Sequence, residues 1–320
     1  MKILMISDVP GWAWDNNVKA LIKYLPEYHI DQVFAIVKRR NPSVKKFNIN
    51  MIDSYDHVHS FGWSLARGFS KHVSAGVCSH NYELRREGGE NHFPKYKALV
   101  ANSKILYEKI QKYNQRVYYF PNGVHQDVFV PVKKYRNKKF VVGWLGQKTK
   151  GSFNIDHNPK IDIKGYQNVL LPLMERLKDK NVVFKIIDNN YRNAIDHSDM
   201  PKYFEDVDIQ ICTSFREGTP NPMFEAASCG KTLISTRVGA ISDFIDESGG
   251  GIIIDAYDSE SDIIKTIDSF ERHILFLKYN RDLCDQMGEL NRKHIELNWS
   301  WEKIAKRWKT LFEDMKNCSD

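Results

Sequence analysis

Short apolar runs of strand length alternate with helical patterns from one end of this chain to the other, which admits few folds besides parallel α/β. In the first half the runs predict strands near 2–7, 32–37, 56–60, 73–78, 97–101 and 117–120, with helices over 15–25 and 103–113. A polar stretch, PVKKYRNK (131–138), reads as a linker, and a second series follows it. KFVVGWLG (139–146) is a strand with a glycine turn, and GYQNVLLPLMERLKD (165–179) has helical spacing. Strands are expected at 181–189, 208–214, 232–238 and 250–256, with helices at 200–207 and from about 259. In the tail, Trp301, Ile304, Ala305, Trp308, Leu311 and Phe312 fall on one helical stripe. A length of 320 residues accommodates two such doubly wound units, and ligands of these sheets bind outside the carboxyl ends of the strands.

The opening MKILMISD is cut off by Asp8, too soon for a spanning helix, and no stretch elsewhere reaches eighteen apolar residues. The five cysteines are scattered and never form a C-x-x-C pair, which fits a reducing, cytoplasmic setting and argues against a disulfide or zinc framework. Residues 1–130 hold 18 Lys/Arg against 11 Asp/Glu, so the whole formal excess of +7 lies in the first half. Clusters such as Lys38-Arg39-Arg40, Lys45-Lys46 and Arg85-Arg86 form either a solvated face or a surface for anionic lipid headgroups or an anionic acceptor. No nucleic-acid motif accompanies them.

The most informative stretch is SFREGTPNPMFEAASCGKTLISTRVGAISDFI (214–245). A strand ends at Ser214, and a loop carries Glu217 and Gly218. Asn221 is placed to cap a helix whose first position is Pro222, where a missing N–H costs least. Gly230 supplies a left-handed C-cap about two turns later. The open start of such a helix offers amide donors and partial positive charge to a diphosphate. Glu217 and Glu225 form E-x7-E, so two carboxylates can flank one ligand and accept from its hydroxyls.

On these residues the chain resembles the donor-binding segment of retaining glycosyltransferases of the GT-B fold, family 4 type (glycosyl transferases group 1). VANSKILYEKI (100–110), YFPNGVHQDVFVP (119–131) and WSWEKIAKRW (299–308) extend the resemblance over most of the chain, more loosely before residue 97. It implies two facing Rossmann-like domains. An acceptor domain would hold 1–133 with the returning helix 299–320, and a nucleotide-sugar domain would hold 134–298. It implies that Glu225 holds the ribose and Glu217 contacts the donor sugar. Backbone N–H groups around the stretch Gly218-Thr219-Pro220-Asn221 and at Met223 would meet the diphosphate or sugar. Lys164 would neutralise the leaving diphosphate, His80 would stand near the reacting carbon, and Gly11 would approach the phosphates. The implied reaction needs neither cofactor nor metal. Its partners are a nucleotide-sugar donor and a glycan or lipid-linked saccharide acceptor, with the basic first domain touching an anionic membrane peripherally.

Departures from the family pattern are visible. Where the family places arginine after the glycine of strand 139–146, this chain has Trp144, and the insertion 147–163 separates that strand from Lys164. The first loop reads Pro10-Gly11-Trp12-Ala13-Trp14 instead of paired glycines; its tryptophans either stack on an acceptor sugar or pack the domain. Asp206-Val207-Asp208 resembles a metal–diphosphate motif of another fold but reads as turn chemistry at a helix-to-strand junction. Two other functions share these features: a GT-B sugar-nucleotide epimerase, and a non-catalytic GT-B subunit supporting an active partner.

Overall fold

The computed structural model describes residues 1–36, 45–78, 88–131, 139–148, 162–188, 199–255 and 260–317. They form two compact units, Met1–Gly123 with Ser300–Asp320, and Val124–Trp299.

In the first unit the chain runs β1 (Lys2–Ser7), α1 (Ala13–Tyr24), β2 (His29–Phe34), β3 (His57–Ser60), β4 (Ser74–Val77), β5 (Ala98–Ala101), α2 (Lys104–Ile110) and β6 (Val117–Tyr119). The strands make one parallel sheet in the order β2-β1-β3-β4-β5-β6. β1 is buried from Ile3 to Ser7, as a central parallel strand covered on both faces must be. β2 begins three residues before the predicted 32–37. It lies at the end of the sheet order beside β1, with His29–Asp31 matching Lys2–Leu4 in register although His29 and Asp31 are polar, and Phe34 also bridges to Lys46. Ser103 starts α2 by accepting the Leu106 amide at 3.3 Å.

The second unit runs β7 (Phe140–Gly146), a π-helical turn (Tyr166–Leu170) leading into α3 (Leu171–Leu177), β8 (Val182–Asp188), α4 (Met200–Phe204), β9 (Ile209–Cys212), α5 (Asn221–Ser228), β10 (Thr232–Thr236), α6 (Gly239–Ser248), β11 (Gly251–Ile254), α7 (Glu260–Tyr279) and α8 (Arg281–His294). Its parallel sheet has the order β11-β10-β9-β7-β8. The sequence suggested a boundary at 133/134, yet the chain joins this unit from Val124. Val124 donates to the Trp299 carbonyl, and one Arg292 nitrogen donates to the carbonyls of Gln126, Phe129 and Ser228 at 3.1, 2.7 and 3.0 Å. Most of the predicted linker, 132–138, lies outside the described residues.

α9 (Trp301–Asn317) rejoins the first unit, and all six residues of its predicted stripe are buried there. Its Trp308 and Phe312 rings lie against two buried histidines: His59 meets Trp308 edge-on at 5.0 Å, and His57 lies 6.4 Å from Phe312. His57 and His59 stand at alternate positions of β3, and the spacing of two puts both on one face. Between them stands Ser74 of β4, whose hydroxyl is 2.8 Å from His57 Nε2 and 2.8 Å from His59 Nδ1.

Burial lowers both histidine pKa values, His57 to about 3, with Lys97 adding to the effect on His57 and His57 to that on His59. The folded state therefore keeps both rings neutral while the unfolded chain takes up protons near pH 6.5. Stability from this pair is full above that pH and is lost as the pH falls below it, at about 1.4 kcal/mol per pH unit for each ring. Calorimetric scans at about pH 7.5 and 5.5 should show the transition of the first unit drop by roughly 5–10 °C. An unchanged transition would mean the rings are not held neutral.

Candidate active site

The site is built where β9 leaves its sheet. Thr213 and the loop after it are laced to residues 162–165, which lead into the π-helical turn. The Thr213 hydroxyl donates to the Lys164 carbonyl at 2.8 Å and accepts the Trp144 indole N–H at 3.0 Å. The Phe215 amide donates to the Ile163 carbonyl at 2.8 Å. Gly165 makes this lacing possible. It has φ +64°, and a Cβ there would lie 2.1 Å from the Thr213 carbonyl oxygen, so only glycine fits. On the other side, Gly239 (φ +49°) lies over the Gly218 carbonyl, which accepts the Ala240 amide at 2.8 Å. The Thr236 hydroxyl donates to the Ser214 carbonyl. The Ser214–Gly218 loop is thus held from both flanks.

Within it, Glu217 Oε1 accepts from Lys164 Nζ at 2.6 Å and from the Ser214 hydroxyl at 2.7 Å. These two carrier residues are 53 positions apart in sequence, and the fold brings them into one ion pair. A third of the Lys164 side chain and 13% of that of Glu217 remain exposed, so the pair faces outward from a walled loop. Burial would lower the Lys164 pKa, but the adjacent Glu217 charge and its hydrogen bond outweigh that and hold the ammonium above its ordinary value.

α5 starts at Asn221, one residue earlier than predicted, with Pro220 at the capping position and Pro222 second. The cause is the Met223 amide, which donates to the Pro220 carbonyl at 2.9 Å and closes the turn early. That amide is therefore engaged within the helix, and a ligand would have to compete for it. No side chain caps this helix start. Thr219, Asn221 and Pro222 keep partial exposure, whereas Gly218, Pro220 and everything from Met223 to Cys229 are buried. Glu225 is among the buried residues, on the second turn of α5. The predicted C-cap is in place: Gly230 has φ +70°, its amide donates to Ala227, and the Lys231 amide donates to Ala226. This pair of bonds is the Schellman arrangement.

Several contributors were not anticipated. Asp162 accepts from the amides of Tyr166, Gln167 and Asn168 at 3.1, 2.7 and 2.9 Å, so the helix start beside Lys164 is filled by the chain's own carboxylate. An acid a few residues ahead of a helical pattern is the signal that could have found it. Ser214, three residues before Glu217, had no signal of its own.

The remaining expectations divide. His80 lies outside the described residues, as do Lys38–Arg40, Arg85–Arg86 and most of the insertion. Gly11, in the first unit, is left-handed (φ +80°), and its amide donates to Asp15 Oδ2 at 2.7 Å. Burial raises the Asp8 pKa, and the Asp15 charge adds to it. Two carboxyl groups thus border the loop where the resemblance would put a phosphate. Trp14 stacks on Phe61 at 6.5 Å and lies on Gly62, where a Cβ would come within 2.6 Å of its ring, which is packing. Asp208 accepts the Val141 amide at 2.7 Å and Asp206 pairs with Lys185 at 3.2 Å, the turn chemistry expected of that D-x-D. Among the described residues no group of three His, Cys, Asp or Glu side chains is arranged to hold a metal ion, and no helix is long and apolar enough to cross a membrane.

Comparison with known proteins gives this geometry its context. Residues 167–271, which include Ser214, Glu217 and Glu225, match the family model described as glycosyl transferases group 1. The D-inositol 3-phosphate glycosyltransferase of Paenarthrobacter aurescens (strain TC1) is 24% identical over 250 residues, covering 69% of this chain and 58% of that protein. The chain spans less than two thirds of the length of such curated relatives. Among solved structures, the sucrose-phosphate synthase of Thermosynechococcus elongatus superposes with TM-score 0.70 at 13% identity, over 99% of this chain and 100% of that one. Anabaena HepE in complex with UDP-glucose superposes with TM-score 0.67 at 14% identity, over 98% and 100%. The chain thus resembles the group 1 glycosyl transferases over residues 167–271, and its pair of parallel α/β units shares the GT-B fold of these solved structures.

Proposed function

We propose that this chain transfers a sugar, with retention of anomeric configuration and without a metal, from a nucleoside diphosphate sugar to a hydroxyl of a glycan or lipid-linked saccharide. The observation that carries this reading is the Lys164–Glu217 pair, held at the carboxyl end of β9 beside an uncapped helix start. Breaking the bond between the anomeric carbon and the phosphate oxygen develops positive charge on the sugar and negative charge on the departing diphosphate. An ammonium already fixed in place stabilises that leaving group with little reorganisation, which is the condition for electrostatic catalysis. The acceptor oxygen forms the new bond on the same face, and its proton passes to the leaving phosphate oxygen. Glu217 orients Lys164 and offers acceptor capacity to donor hydroxyls, while Glu225 holds the ribose. HepE was solved with UDP-glucose, which makes that compound the first donor to try.

The reading is tested by incubating the protein with UDP-, GDP- and ADP-sugars in EDTA and measuring release of the nucleoside diphosphate with and without saccharide acceptors. Release of one diphosphate that depends on acceptor and survives EDTA is expected. A strict requirement for divalent metal, or release with none of the donors, would refute it.

A further inference from the structure

In the site loop one cation is left without a counter-charge. Lys164 and Glu217 form a pair of zero net charge, and Glu217 Oε1 also takes the Ser214 hydroxyl. The residue next to Glu217 is Arg216. Its Nη1 is shielded from solvent, and no hydrogen-bond acceptor reaches it. Among the described residues it is the only lysine or arginine nitrogen in that condition. Other guanidinium groups in the same unit are engaged: the partly buried Arg292 by the carbonyls of Gln126, Phe129 and Ser228, and the exposed Arg237 by Asp255 and Asp246. A guanidinium carries five N–H donors and stays charged, so one at a half-buried position with a shielded, unbonded nitrogen calls for an anion.

The neighbourhood says which anion. Arg216 sits in a loop pinned on either side of it, by the Phe215 amide to Ile163 and by Glu217 to Lys164, directly ahead of the start of α5. The strand position where an arginine was expected holds Trp144, which is 2% exposed, donates to Thr213 and packs against Tyr166 at 5.4 Å. That side chain cannot meet a phosphate. Without Arg216 the loop would offer a doubly charged diphosphate no net positive side-chain charge at all.

We propose that Arg216 is a ligand of the donor's diphosphate and supplies the second cation of the site beside Lys164. Its planar fork presents two parallel N–H donors to two phosphate oxygens in a fixed geometry that an ammonium lacks. The proposal rests on the reading of the site as one for a nucleoside diphosphate sugar.

Titration calorimetry tests it with UDP, GDP and ADP as probes, in EDTA, at about 50 and about 250 mM NaCl. The diphosphate that wild type binds best should bind Arg216→Gln about 10- to 100-fold more weakly, the loss of one charge-assisted contact. The fall of affinity with salt should also become shallower in that variant, a change that a merely structural arginine would not produce. Should Arg216→Gln fail to fold, Arg216→Lys carries the test, with a loss of about two- to tenfold expected from the missing fork. Wild-type affinity and salt dependence in Arg216→Gln, or in Arg216→Lys where that variant carries the test, overturn the role of Arg216 and leave the donor reading standing. A wild-type protein that binds none of the three overturns the donor reading itself.

Discussion

Glu217→Gln is expected to lower kcat/KM for transfer by about 10²–10³-fold while leaving nucleoside diphosphate affinity unchanged or slightly tighter. The substitution keeps the side chain's size and its oxygen, so the Ser214 hydroxyl retains an acceptor. What disappears is the charge that holds Lys164 at 2.6 Å. A released ammonium binds the ground-state diphosphate at least as well, because it no longer shares itself with a carboxylate. It is, however, no longer fixed for the moment when the phosphate departs, and the donor sugar loses a charged acceptor. Glu225→Gln should show the opposite division. That carboxylate is buried in α5, outside the ion pair, so its loss should weaken nucleotide binding by about tenfold or more, the price of one charge-assisted hydrogen bond to the ribose. Parallel measurement of kcat/KM and of calorimetric Kd separates the two carboxylates. Equal losses in both quantities for both variants would show that they do not have distinct roles.

Lys164→Met should be at least as damaging, with kcat/KM falling about 10²–10⁴-fold and diphosphate affinity falling with it. The variant removes a cation and also leaves the Glu217 charge uncompensated, where it repels the incoming phosphates. That second effect has a signature. The double variant Lys164→Met/Glu217→Gln should bind the diphosphate better than Lys164→Met alone, because it lacks the repelling charge. Residues in contact at 2.6 Å should show such coupling, and strictly additive losses would mean that the pair does not act as a unit.

Much of the architecture was legible because it is periodic. The buried stripe of α9 and the continuous burial of β1 follow from spacings of 3.6 and from the needs of a parallel sheet. Gly230 was legible for a local reason, since a left-handed C-cap selects glycine. The helices α6 and α8 were not separated out, since Gly239 at the start of one and the single residue Asn280 before the other give weak start signals. β2 was displaced because its register is set by pairing with β1 and not by its own apolar run.

The site was half legible. Its glutamates, Lys164 and the short helix were recognisable through resemblance, while the contacts that organise them were not. Nothing local says that Thr213 will hold the Lys164 carbonyl, or that the Gly165 backbone must pass within contact of Thr213. Ser74 between two histidines is likewise a product of strand order. Arg216 had no motif at all; it stands out only once the partners of every neighbouring charge are known. In the Gly11 loop the amide donates to Asp15, a contact that no local pattern announced.

The most direct measurement is a crystal structure with UDP, or whichever nucleoside diphosphate binds best, grown in EDTA. The β-phosphate should lie within hydrogen-bond distance of Lys164 Nζ, on the loop that runs from Ser214 into α5. Phosphates bound instead at the loop between β1 and α1, or anywhere that leaves the Lys164–Glu217 pair untouched and dry, would contradict the account.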